Sequence, residues 1–153
     1  MLSYRPLAGF EAGTQTGSYD HDRADRTEQT MRAVVASRWG ASDVLEETQL
    51  PRPTPGPTEI VVAVHAAGVN PVDWKSRASG GFGMWRDPPV NGWDVSGVVA
   101  QVGGGSSLYR VGDEVFGMPR FPRQAGAYAE YVVAPSHKGC AYVQKRRKSR
   151  ACE

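Results

Sequence analysis

Asn70-Pro71-Val72-Asp73-Trp74-Lys75 places an amide, a carboxyl and an ammonium within six residues. A lysine ammonium or an amide N–H stabilises negative charge developing on an oxygen, and a carboxyl can supply or accept the accompanying proton. The same residues have plainer readings: Asn70 before Pro71 initiates a turn, Asp73 caps a short helix, and Lys75 is a solvated surface charge. Other chemistry-bearing positions are more isolated. Asp94 stands between Trp93 and Val95, where a bare carboxylate is expensive unless hydrogen-bonded, so a structurally satisfied group is expected. Asp113 and Glu114 follow Gly112 and read as hairpin-turn chemistry. His65 ends an apolar run and is expected to be packed rather than to ligate a metal. Trp74, Trp93 and Tyr128 suit either a pocket wall or a small core.

The elements that must position these groups are short and β-like. Residues 32–37 (RAVVAS) form a β-type run, followed by a glycine-containing turn and a second candidate strand over 44–50. The proline-rich stretch 51–57 cannot supply ladder donors and reads as an extended connection. Residues 59–66 (EIVVAVHA) fit a well-buried strand, 98–102 end in three consecutive glycines, 109–117 place a Gly-Asp turn before a short strand, and 127–134 make one more. Several strands separated by turns, without sustained helical periodicity or an internal repeat, predict a mainly β barrel or sandwich.

Composition sets the limits. The 153 residues, 40% of them hydrophobic, suffice for one core, and 18 Gly with 11 Pro disfavour a helical bundle. The first thirty residues combine three Arg and five acidic residues with few large apolar groups, which predicts disorder over 1–30 and makes Met31 a candidate start. The central stretch 31–137 is nearly balanced, with nine basic and ten acidic residues. The basic excess lies in 138–153, six positive charges against one negative, together with both cysteines, Cys140 and Cys152. No cysteine is therefore available to staple the central stretch. Residues 138–153 read as an unrelated, disordered tail. A basic cluster without interleaved aromatics is a solvated end rather than a nucleic-acid site. The absence of a long apolar run and of a signal-peptide pattern suggests a soluble cytoplasmic protein with no membrane partner.

Three segments, 67–75 (AGVNPVDWK), 92–99 (GWDVSGVV) and 111–117 (VGDEVFG), follow a Pro-Gly-Pro connector and precede 126–131 (GAYAEY). In that order they resemble the N-terminal GroES-like domain of the medium-chain dehydrogenase/reductase superfamily. The resemblance covers 31–137 and implies a partly open β-barrel with short helices. Zinc-dependent members place a cysteine near the position of Asn70 and a His-Glu pair where this chain has Trp93-Asp94, because zinc needs thiolate and imidazole ligands around an open tetrahedral position. The match is therefore to zinc-free, quinone-oxidoreductase-like relatives, which reduce quinones or α,β-unsaturated carbonyls with NADPH.

In such relatives the Asn-Pro-Val-Asp-x-Lys segment lines the cleft facing the nicotinamide. The resemblance thus implies catalytic roles for Lys75 and Asn70 and cofactor contacts for Asn70, Asp73 and Lys75, with no metal. Hydride addition to an enone leaves negative charge on the carbonyl oxygen, which Lys75 or the Asn70 amide would stabilise. The nucleotide-binding Rossmann domain of the superfamily is absent from the sequence: the glycines at 80–83 and 103–105 lack the following helix and βαβ setting. The chain is thus expected to be a catalytic-domain fragment, inactive alone and unable to bind NADPH tightly. In full length it would act on a small-molecule substrate, and the resemblance allows a homo-oligomer. The alternative is a free-standing GroES-like barrel that serves as a binding or assembly module.

Overall fold

The computed structural model describes residues 29–80, 87–106, 108–136 and 143–145. The expectation of disorder over 1–30 therefore falls almost wholly outside the described residues, as do the glycines at 81 and 83 and most of the basic tail.

Strand β1 (Thr30–Ala36) pairs antiparallel with β2 (Leu45–Pro51), the two joined through a single 3-10 turn at Ser42–Val44. Four further elements build the main sheet: β3 (Glu59–Ala67), β4 (Val95–Val102), β5 (Glu114–Gly117) and β6 (Tyr131–Pro135). With β7 (Val143–Lys145) they run in the order β6-β3-β4-β5-β7, and every pairing is antiparallel. The mainly β, GroES-like architecture expected from the sequence is the one observed. Its single described α-helix, α1 (Pro71–Ser79), leaves the end of β3. No helix among the described residues is long and apolar enough to cross a membrane.

Alternation sets the core. Val95, Gly97 and Val99 of β4 face inward, as do Val132 and Ala134 of β6. They meet Ile60 and Val62 of β3, which is buried through its first half. The hairpin β1–β2 is fastened to the stretch before β6 by main-chain bonds from Val34 N–H to Tyr128 O (2.8 Å) and from Glu130 N–H to Arg32 O (3.0 Å).

Two positions depart from the sequence reading. The register of β3 against β4 shifts between Val64 and Ala66, so His65 is the extra residue of a bulge and is exposed rather than packed. Residues 143–145, read as part of an unrelated tail, close the sheet on β5. Val143 is 4% exposed within the hydrophobic core, and its carbonyl accepts the Tyr109 hydroxyl at 2.8 Å. The boundary drawn at 137 therefore does not mark the end of the packed domain.

Candidate functional site at the start of helix α1

The bulge and Gly68 end β3 and deliver the chain to Asn70, whose extended backbone (φ −122°, ψ 159°) makes it the N-cap of α1. Pro71 at the first helical position has no N–H to leave unsatisfied and its φ suits a helix start. Three residues on, the Asp73 carboxylate returns to accept the Asn70 main-chain N–H at 2.5 Å, while the Asp73 N–H donates to the Asn70 carbonyl at 3.0 Å. The helix closes at Gly80. Arg77 in its last turn donates to the Gly40 carbonyl at 3.2 Å and complements the negative end of the helix.

The Asn70 amide is not free. Its Nδ2 donates to Asp94 Oδ2 at 2.7 Å, across from the first residue of β4. A carboxylate only accepts, so this bond fixes which end of the amide faces Asp94. The expectation that Asp94 is a structurally satisfied carboxyl is met by that contact.

Asp73 is 2% exposed, and its Oδ1 has no hydrogen-bond partner among the described residues. Burial pushes its carboxyl above the ordinary aspartate value, and the negative charge of Asp94 adds to the rise. The Asn70 N–H, the Tyr128 hydroxyl and the Gly92 N–H oppose it by favouring the charged form. Tyr128 comes from the segment before β6, and its hydroxyl donates to the Gly68 carbonyl at 3.4 Å. Burial pushes that phenol up to about 12, reinforced by the Asp73 charge. The ring fits because position 92 is glycine: its φ is +93°, and a Cβ there would lie 2.5 Å from Tyr128 Cδ1.

The fold thus brings Asn70, Asp73, Asp94 and Tyr128 into one cluster. Lys75 is on the exposed surface of α1 with its Nζ 5.4 Å from the Trp74 ring centroid. Val69 and Trp74, 80% and 51% exposed, flank Asn70 and Lys75 with apolar surface. Trp93 lies elsewhere, buried, with Nε1 donating to the Arg123 carbonyl at 2.8 Å and its ring edge-on to Phe121. Asp113 accepts the Arg110 N–H at 2.7 Å in the turn before β5, as a turn residue does, and also pairs with Lys145 at 2.7 Å. The family resemblance singled out Asn70, Asp73 and Lys75. It gave no sign that Tyr128, distant in sequence, would act on Asp73.

These residues do not form a pyrophosphate cradle. The ammonium of Lys75 is accessible, whereas the Asn70 N–H at the mouth of α1 is already taken by Asp73. The turn at Gly103–Gly105 leads toward β5 rather than into a helix, so it lacks the helix N-terminus that holds a pyrophosphate. Among the described residues no three His, Cys, Asp or Glu side chains converge on a metal position.

Comparison with known proteins agrees with this architecture. Residues 56–145 match the alcohol dehydrogenase GroES-like domain. A quinone oxidoreductase of Pongo abelii is 35% identical over 111 residues, covering 72% of this chain and 33% of that protein. A trans-enoyl reductase of Gibberella fujikuroi is 35% identical over 109 residues, 71% of this chain and 30% of the relative. A mycobacterial protein solved in complex with NADPH superposes with a TM-score of 0.63 at 30% identity, covering 78% of this chain and 33% of the other. The chain therefore spans about a third of the length of the curated relatives it matches. It belongs to the alcohol dehydrogenase GroES-like domain family of the medium-chain dehydrogenase/reductase superfamily, on its quinone-oxidoreductase-like side.

Proposed function

We propose that this chain is the N-terminal catalytic-domain portion of a zinc-independent, NADPH-dependent oxidoreductase that reduces a quinone or an α,β-unsaturated carbonyl. The observation that carries the reading is the start of α1. Buried Asp73 and the half-buried pair Asn70 and Asp94 tie down the start of the helix, while Lys75 and the apolar surfaces of Val69 and Trp74 stand open beside it. A small planar acceptor with one carbonyl oxygen suits such a wall, apolar for its ring or chain and cationic for its oxygen.

Bound NADPH supplies the hydride. Within this chain, Lys75 places positive charge where the acceptor oxygen becomes negative, and Asn70 contributes the amide hydrogen that Asp94 does not use. Asp73 serves the cofactor indirectly by fixing Asn70, since its own carboxyl is buried. The described residues offer no cradle for the pyrophosphate, so its binding is assigned to a nucleotide-binding half such as the superfamily carries. The reaction is soluble chemistry in the cytoplasm with a small-molecule substrate.

The test has two parts. Isolated chain should leave NADPH fluorescence unchanged at micromolar protein, and saturable binding at that concentration would overturn the division of labour. In a form of the protein that carries a nucleotide-binding half, Lys75→Met removes charge while keeping length. Loss of a charged donor in a partly dry site is worth about 2 to 4 kcal/mol, so kcat for an enone should fall about 30- to 1,000-fold. Full activity would return Lys75 to the solvated-surface reading.

A further inference from the structure

The cluster at the start of α1 contains more polar machinery than a helix cap needs. A cap is complete once the Asp73 carboxylate has accepted the Asn70 N–H. Yet the second oxygen of the same carboxyl is buried without a partner, and a tyrosine hydroxyl is held beside it by a glycine whose every substitution would strike the ring. A buried acceptor left unsatisfied costs about 1 to 3 kcal/mol. The bond from the Asn70 N–H offsets that cost, so the carboxyl is tied to Asn70 at the head of α1.

We propose that Asp73 is the positioning residue of the cleft: acting through the Asn70 main chain, it sets the Asn70 amide against Asp94. The geometry makes one continuous chain of contacts. Asp73 holds the Asn70 N–H and the Asn70 amide reaches Asp94, while the Tyr128 ring packs against Gly92 and its hydroxyl donates to the Gly68 carbonyl two residues before Asn70. Three separate elements meet in it: the segment before β6, the first turn of α1 and the start of β4. The proposal rests on the reading of Asn70 as a cleft group and adds what orients it.

One consequence is that the orientation of Asn70 depends on the Asp73 proton. An ionised Asp73 is the stronger acceptor for the Asn70 N–H, and it places a second negative charge beside Asp94. The charged and titratable groups that face this carboxyl are Asp94 at the head of β4 and Tyr128 before β6, with Arg77 of α1 acting in turn on Tyr128. Burial and Asp94 together raise the Asp73 titration above the ordinary aspartate value.

The experiment is a pH titration by NMR of the 153-residue chain, following side-chain amides and carboxyl carbons. The sequence holds only two asparagines, Asn70 and Asn91, so the relevant amide is readily assigned. The expected result is one step in the Asn70 amide resonances whose midpoint equals that of the Asp73 carboxyl carbon. Asp73→Asn, which keeps shape and removes the proton, should abolish the step with the remaining spectrum preserved. Tyr128→Phe should move the midpoint upward, because the hydroxyl favours the charged carboxyl. A passive cap would alter melting temperature but would not tie the Asn70 midpoint to Tyr128. If Asp73→Asn does not fold, co-titration in the unaltered chain and the Tyr128→Phe shift carry the test. An Asn70 resonance that follows the Asp94 carboxyl alone, or stays flat while Asp73 titrates, overturns the proposal. Neither outcome involves NADPH or turnover, so failure here leaves the reductase reading standing, and loss of that reading leaves this coupling measurable.

Discussion

At the start of α1 and in the turn before β5, an aspartate accepts the main-chain N–H of the residue three positions earlier: Asn70 to Asp73 at 2.5 Å, Arg110 to Asp113 at 2.7 Å. The local bond is the same, but the two carboxyls respond in opposite directions. Asp73 is raised because burial dominates, whereas Asp113 is lowered because the Lys145 ammonium and the Arg110 N–H act on a group that keeps its water. Backbone motif alone therefore says little about protonation. The neighbours brought in from distant strands decide it, Tyr128 and Asp94 in one place and Lys145 in the other.

The two glycines beside these aspartates sharpen the contrast most. Gly92 and Gly112 have nearly equal left-handed torsions, φ +93° and +92°, but a Cβ at 92 would strike Tyr128 and one at 112 would meet nothing within 4 Å. Gly92→Ala should cost about 3 kcal/mol or more, since torsional strain and overpacking add. Gly112→Ala should cost about 1 kcal/mol, from torsion alone. Chemical denaturation of both variants checks this, and equal losses would break the claim that the Asp73 region is the more tightly packed of the two.

A second effect is intermediate in size. Val143→Ala removes buried methyls from the strand that brings Lys145 to Asp113, and should destabilise by about 1 to 2 kcal/mol. A neutral result would place β7 outside the cooperative core.

The third prediction concerns pH, and the signs oppose. The raised Asp73 favours folding fully below the ordinary aspartate value of 3.8, and that contribution is lost as pH rises through its folded value. The lowered Asp113 contributes above 3.8 and loses its contribution as pH falls through its folded value. Asp73→Asn should therefore remove a decline of stability with rising pH, and Asp113→Asn a decline with falling pH, both read from melting temperatures across the acid range. Like-signed changes would contradict the comparison. Smallest of all, Lys145→Met should cost only a few tenths of a kcal/mol, because its ion pair with Asp113 is solvent-exposed and screened. The same variant should nonetheless return Asp113 toward its ordinary value.

What the sequence revealed follows from which signals are local. Short β-type runs between glycine and proline punctuation located β1 to β6, because such runs and turns are local signals. Strand β7 escaped notice because it is three residues long, offers one inward side chain and runs into a basic stretch that dominates its texture. His65 was misplaced because a bulge shifts the inward and outward faces without leaving a compositional trace. At the site, the family resemblance pointed to Asn70, Asp73 and Lys75, and the structure places Asn70 and Asp73 in one cluster with Lys75 exposed nearby. The burial of Asp73 was not legible in the sequence, since it depends on Tyr128 and Gly92, which reach it only through the fold.

The central claim, that the start of α1 forms one wall of a zinc-independent reductase cleft, is tested most directly by following the hydride. The protein should be purified from its source by an antibody to residues 31–136, in a form that includes a nucleotide-binding half, and given NADPH deuterated at the transferring position with an α,β-unsaturated ketone and a strong chelator. The account predicts deuterium at the β-carbon of the saturated ketone at an undiminished rate under chelation. No label in the product, or activity abolished by the chelator and restored by zinc, would contradict it.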